Sequence, residues 1–279
     1  MTRHKHFAPS PVLRPYIKCF HVLEIDDALD ASSFERFTPD GCFEVNFNLA
    51  GAPTRREAFG TERMLGAGYT VARSSTCYFM RPAGALRLMG VRFHPWGLHR
   101  FTSVPMEVIS DSAVPSVELF GSSVLALHER LAASASETHA IAELDRYLTA
   151  RLNAFDEDPL ITDAAQRIEQ ANGLLAMKEL LSPYGITQRR FQQRFKQSIG
   201  TTPKGFSRLM RFQHALRGLT AGAYVVPIDL AFEGAYYDQA HFANEFRSFA
   251  GISPTRYMAE VHPLNDAAVL NRLDGASSL

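Results

Sequence analysis

The chain has 279 residues, of which 46% are hydrophobic and 21% charged; this excludes a disordered chain and suits two globular domains or one large one. Its 29 Lys and Arg balance 29 Asp and Glu, so any affinity for a polyanion must belong to one segment and not to the whole molecule. The apolar runs are too short to span a membrane, "MTRHKHFAPS" lacks a signal-peptide core, and Cys19, Cys42 and Cys77 form no CxxC pair, so a cytoplasmic protein with reduced thiols is expected.

The first third reads as β structure. In "CFEVNFNL" the residues Phe43, Val45, Phe47 and Leu49 alternate with Glu44, Asn46 and Asn48, the period of a strand. "ALRLMGVRF" is a second strand, closed by the turn "HPWG", and "TPDG" and "GAPT" bracket the first with turn chemistry. Short strands with such turns predict a small barrel or sandwich ending near Phe101. From about Val117 to Asn153 the period becomes helical. Leu125, Leu127 and Leu131, then Ile141, Leu144, Leu148 and Leu152, are the expected seams of a helical hairpin. "FDEDPLITD" reads as a linker, residues from Ile161 to about Val261 as helices, and the tail after Pro263 as a disordered end with little to bury.

Within the helical part the chain repeats itself. "FQQRFKQSIGTTPKGF" (191–206) and "FANEFRSFAGISPTRY" (242–257) align without a gap, matching Phe191 to Phe242, Phe195 to Phe246, Gly200 to Gly251 and Pro203 to Pro254. In the first copy Thr187 is a good N-cap. Phe191, Phe195 and Ile199 share one helix face, while Arg189, Gln193 and Lys196 point nearly opposite it and Arg190 and Gln192 flank it. Gly200 stops the helix; Thr202 caps the next one and Pro203 occupies its first position. A helix, a short turn with Gly185 and a capped second helix make a helix-turn-helix. In the second copy the helix through Phe232, the turn through Gly234 and the helix from His241 to Phe249 repeat the layout, with Asn244 and Arg247 facing outward.

Charge agrees with this reading. Gly173 to His262 carries eleven Lys or Arg against six Asp or Glu, and Leu180 to Ile228 carries eight basic residues and no acidic one. Arg and Lys side chains suit guanine edges, and Asn and Gln suit adenine edges. The 19 residues "PKGFSRLMRFQHALRGLTA" would span about 28 Å as a helix, near the ~34 Å repeat of the major groove on one side of B-DNA. Two recognition helices so connected would read two turns of one duplex.

At these motifs residues 160 to 260 resemble the AraC/XylS family of bacterial transcription regulators: Phe-x3-Phe-Lys-x3-Gly-x-Thr-Pro, "RFQHAL", and "YYDQAHFANEF" followed by "GISP". The resemblance implies a seven-helix DNA-binding domain. In it Arg189, Arg190, Gln192, Gln193 and Lys196 belong to the first recognition helix and Gln239, His241, Asn244 and Arg247 to the second, with Lys204 placed for phosphate. The chain departs from the family pattern at Gln193 (usually Arg), at Leu181 (usually Ala), at Pro183 (usually not proline) and at Ala235, where the turn glycine is displaced to Gly234. "FTPDGCFEVNFNL" and "GVRFHPWGLHRF" resemble, more weakly, the β-rich sensor domains fused to such regulators, which implies a cupin-like barrel. Asp40, Glu44, Asn46, Arg92 and Trp96 are the candidates for an effector pocket at its mouth.

The expected fold class is therefore α+β: a β-rich cupin-like sensor or dimerisation domain (1–115), a helical hairpin linker (116–155), an AraC-type DNA-binding domain with two helix-turn-helix units (160–262) and a disordered tail (263–279). The expected function is sequence-specific transcription regulation responsive to a small-molecule effector. The expected partners are double-stranded DNA, RNA polymerase and a second copy of the chain, with no cofactor, metal or membrane. Two alternatives stay open: a cupin-type enzyme fused to a DNA-binding domain, and a constitutive regulator whose β domain only dimerises. His94 and His99, five apart, form no three-ligand set, and no nucleophile motif or phosphate loop is present.

Overall fold

The structure, a computed structural model, describes residues 2–26, 34–58, 60–152, 157–220 and 238–260. Ten strands come first: β1 (Thr2–Phe7), β2 (Ile17–Ile25), β3 (Glu35–Phe37), β4 (Phe43–Ala50), β5 (Pro53–Glu57), β6 (Glu62–Met64), β7 (Gly68–Val71), β8 (Tyr78–Pro82), β9 (Leu86–Phe93) and β10 (Ala113–Pro115). Between β9 and β10 a 3-10 turn (Leu98–Phe101) and the short helix α1 (Met106–Ile109) carry the chain. The strands form two antiparallel sheets, ordered β1-β2-β9-β4-β7-β10 and β3-β8-β5-β6. The β-rich reading stands. The barrel does not close among the described residues, because no ladder joins the two sheets and β1 and β10 remain the outer strands of the larger one. The β structure also runs past Phe101 to Pro115.

One face of the larger sheet carries Phe20, Val22, Phe43, Val45, Phe47, Met89, Val91 and Phe93, all buried. Helices α2 (Val117–Phe120), α3 (Ser123–Ala132) and α4 (Glu137–Arg151) cover that face, and Leu127, Leu131, Ile141, Leu144, Leu148 and Leu152 enter the same core. Leu125 is 56% exposed and is not part of the seam. The buried stripe on α3 is Val124, Leu127 and Leu131, an i, i+3, i+7 series from which Leu125 is displaced by one residue. The buried leucines of the hairpin are thus consumed by the sheet.

The opposite face of β4 is not solvated either. Asn46 and Asn48 are buried: Asn46 meets His21 of β2, and Asn48 Nδ2 donates to Gly66 O at 2.7 Å between β6 and β7. Tyr78 and Met80 of β8 pack on Leu65, Tyr69, Val71 and Ala113, joining the two sheets.

Six further helices follow among the described residues: α5 (Pro159–Gln170), α6 (Met177–Leu181), α7 (Gln188–Ile199), α8 (Pro203–Thr220), α9 (Gln239–Ala250) and α10 (Pro254–Ala259). Their core is aromatic: Phe191, Phe195, Phe206, Phe212, Phe242, Phe246 and Phe249 are buried together. The first helix of the second unit, with Gly234 and Ala235, and the tail lie outside the described residues. No described helix is long and apolar enough to cross a membrane.

Candidate nucleic-acid interface

Helices α7 and α9 are twelve-residue helices built alike. The Thr187 hydroxyl accepts from Arg190 N at 3.4 Å, and the Asp238 carboxylate accepts from His241 N at 2.7 Å; each satisfies one orphan N–H at the helix start. Each helix ends at a left-handed glycine, Gly200 (φ 82°) or Gly251 (φ 75°), whose N–H closes on Lys196 O or Arg247 O. The next helix is capped in turn, by Thr202 to Gly205 N at 3.0 Å and by Ser253 to Arg256 N at 3.3 Å. The Asp238 cap was missed in the sequence; an Asp directly ahead of an apolar-periodic run was the signal for it.

The inward faces are fully committed, since Phe191, Phe195, Ile199, Phe242 and Phe246 have at most 1% of their surface exposed. The outward faces carry the residues that the sequence singled out. Arg189, Arg190, Gln193 and Lys196 on α7 are exposed and Gln192 is half-buried; Gln239, His241, Asn244 and Arg247 on α9 are exposed, as is Lys204 at the start of α8.

The remaining cations of the acid-free segment do other work, Arg217 by donating to Asn172 Oδ1 at 3.2 Å. Arg194 reaches back from α7 to the N-cap of α5, pairing with Asp158 at 2.5 and 2.9 Å. Arg208 and Arg211 of α8 both pair with Glu245, at 2.8 and 3.3 Å. Glu245 sits on α9 and is buried, so this charge triad ties α8 to α9; a buried carboxylate is tolerated only when so partnered. α8 has 18 residues, about 27 Å of helix. α6, only five residues long, ends at Leu181 ahead of Pro183, where a helix cannot comfortably continue.

The candidate effector residues separate into groups. Arg92 is buried on β9 and pairs with both Asp40 and Glu44. Asp40 also accepts from Cys42 N at 2.7 Å, so it holds its turn and the ion pair together. Asn46 lies two residues further along β4, with its Oδ1 2.9 Å from His21 Nε2. His21 was missed in the sequence. Its partnership with Asn46 crosses over Gly90, where an added Cβ would stand 2.3 Å from Asn46 Oδ1 and 2.5 Å from His21 Nε2. Burial pushes the Glu44 carboxyl up against the pull of Arg92, and burial and Glu44 raise the Tyr69 hydroxyl. Trp96 does not join this group. Its ring belongs to the helical core and its Nε1 donates to Pro15 O at 2.9 Å, because the "HPWG" turn points it at α5 and α7 and away from the strands. Among the described residues no three His, Cys, Asp or Glu side chains gather as a metal site.

A β domain joined to a helical unit with a duplicated capped helix, aromatic inside and polar outside, has the layout of a DNA-binding protein of the helix-turn-helix class. Residues 181–260 match the family described as helix-turn-helix domain, and this part of the chain is an AraC-type helix-turn-helix domain. Residues 5–115 match a domain of unknown function, DUF6597. No curated protein matches the chain. Among solved structures it is similar to ToxT from Vibrio cholerae at 1.65 Å resolution, with 6% identity, TM-score 0.47, and 86% of this chain and 97% of that one covered. It is also similar to wild-type ToxT from V. cholerae strain SCE256 with an unsaturated fatty acid bound (8% identity, TM-score 0.46, 88% and 95% covered). A cupin domain of an XRE-family transcriptional regulator from Enterobacter cloacae matches more distantly (14% identity, TM-score 0.26, 34% and 97% covered).

Proposed function

We propose that the chain is a sequence-specific transcription regulator that reads two successive major-groove faces of one duplex with α7 and α9. The observation that carries this is the matched pair: two helices of equal length, capped and terminated alike, each with a buried aromatic face and an exposed row of long polar side chains. Arg189, Arg190, Gln192, Gln193 and Lys196 then read the first half-site, Gln239, His241, Asn244 and Arg247 the second, and Lys204 holds phosphate.

For the β domain we propose a sensor. Its polar row of Asp40, Glu44, Asn46, Arg92 and His21 lies on the sheet face away from the apolar core, with hydrogen-bonding groups of both polarities. Small-molecule sites use a few such groups inside an otherwise apolar wall. Two experiments test the reading. Selection of bound duplexes from a randomised pool by the full chain should return two half-sites of fixed spacing; uniform enrichment would refute sequence reading. Thermal unfolding against a metabolite library should find a compound that raises the midpoint, as a native-state ligand must. If such a ligand is found, Arg92→Ala should abolish its shift; an unchanged shift would place the ligand elsewhere.

A further inference from the structure

The two left-handed glycines that end the recognition helices face the β domain. A Cβ on Gly200 would stand 2.3 Å from Ser110 Oγ and 3.0 Å from Met106 O; one on Gly251 would stand 2.7 Å from Cys77 Sγ and 3.1 Å from Arg36 Nη1. At both junctions an arginine of the β domain donates to a terminal carbonyl of the recognition helix. Arg73, two residues after β7, reaches Gly200 O with Nη2 at 3.2 Å, and Ser110 Oγ lies 3.0 Å from the same oxygen. Arg36, on β3, reaches Ala250 O with Nη1 at 3.0 Å. Between these points the β domain also touches α8. The Cβ position of Gly41 is 3.3 Å from Met210 and Phe206 side chains, and Gln213 Nε2 donates to Pro39 O at 2.6 Å.

We propose that Arg36 and Arg73 are positioning residues for DNA reading: a matched pair of clamps by which the β domain holds the C-terminal ends of both recognition helices and so fixes the spacing between the half-sites they read. The inference rests on the two-helix reading above and adds what sets its geometry.

Three physical features support it. The last carbonyls of a helix have no partner within it and carry the negative end of its dipole, so a guanidinium is the side chain best suited to grip them. Both guanidinia are held from behind as well. Arg73 is buried, with Nη1 donating to Ser74 O at 3.2 Å; Arg36 stacks over the Phe79 ring at 4.7 Å, with Nε on Glu260 at 3.3 Å. Neither can swing freely, so each transmits the position of the β domain to its helix. The clamps also lie at the far ends of the helices from Arg189 and Gln239 and leave the outward faces unobstructed. The aromatic core and the Glu245 triad already hold both helices on α8, and the two β-domain contacts refer their C-terminal ends to a second common body.

The test uses the full chain. After selection of half-sites from a randomised duplex pool, wild type, Arg36→Ala, Arg73→Ala and the double variant are titrated against duplexes in which the spacer is lengthened or shortened base pair by base pair. Wild type should prefer one spacer. The Ala variants should keep the base preference of each half-site, lose about tenfold at that spacer and accept its neighbours nearly as well, a loss of about 1.4 kcal/mol. A change in folded fraction would lower binding at every spacer in proportion and leave the preference intact, so an unchanged preferred spacer in the double variant overturns the proposal. Should an Ala variant not fold, Arg36→Lys and Arg73→Lys keep the charge but not the fork, and the same criterion decides. Failure of wild type to select any half-sites would instead refute two-helix reading itself.

Discussion

At the scale of single residues, the acid-free stretch from Leu180 to Ile228 holds two main kinds of cation, with Arg217 apart from both on Asn172. Arg194, Arg208 and Arg211 are spent on Asp158 and Glu245. Arg189, Arg190, Lys196 and Lys204 are exposed on the outer surface. Composition alone could not make this division, because the carboxylates that claim the first group lie at positions 158 and 245, outside the stretch. Arg189 stands near the start of α7, where recognition-helix side chains reach base edges. We expect Arg189→Ala to cost roughly 1–3 kcal/mol of binding and to flatten preference at one or two base pairs. Lys204→Ala should weaken all sequences alike and reduce the log–log salt slope by about one unit. Binding to a randomised library at two salt concentrations separates them. An Arg189→Ala protein that keeps its base preference and changes only its salt slope would reassign Arg189 to phosphate.

At the scale of elements, the repeat was legible because its signals are local: a cap, an aromatic series at i and i+4, a glycine, then a cap with proline. What was not legible is what stands against those glycines. Gly185, Gly200 and Gly251 all have positive φ, but nothing lies within 4 Å of a Cβ at Gly185, while Gly200 and Gly251 abut Ser110 and Cys77. Gly185→Ala should therefore cost only the left-handed penalty of roughly 1–2 kcal/mol. Gly200→Ala should cost measurably more, since the added carbon also collides with the β domain. Urea unfolding of the three proteins checks this, and equal losses at 185 and 200 would mean that the interface yields at no cost. The sheets were legible in part for the same reason. Alternation marked β4 and β9, and their polar face supplied the candidate pocket residues, but not what they pair with. Only the tertiary fold reveals that Asn46 and Asn48 are buried there, and neither Arg36 nor Arg73 carries any local mark of its partner, 214 and 127 residues away in turn.

At the scale of the whole molecule, the β domain holds several histidines in surroundings that disfavour their charge. Burial, with His21 and Arg92 nearby, brings His4 down to about 4, and burial and His4 bring His6 to about 4. Burial and Lys18 bring His94, stacked 5.0 Å from Trp96 between the β domain and the helices, to about 3. In the unfolded chain each would titrate near 6.5. Between about pH 6.5 and 4 the unfolded chain thus binds more protons than the folded one, so stability is full above that window and falls as the pH is lowered through it. Glu44, raised by burial, acts in the opposite sense, as one group against three histidines. We therefore expect the urea midpoint to drop from pH 7 to pH 5. His94→Gln keeps a polar side chain of similar size, and removes at most one proton from the slope, about 1.4 kcal/mol per pH unit at its steepest. The variant should lose less stability than wild type over the same interval, whatever its stability at pH 7. If both proteins fall in parallel, His94 is protonated in the folded molecule at pH 5, and the junction beside Trp96 admits a charge that its burial should exclude.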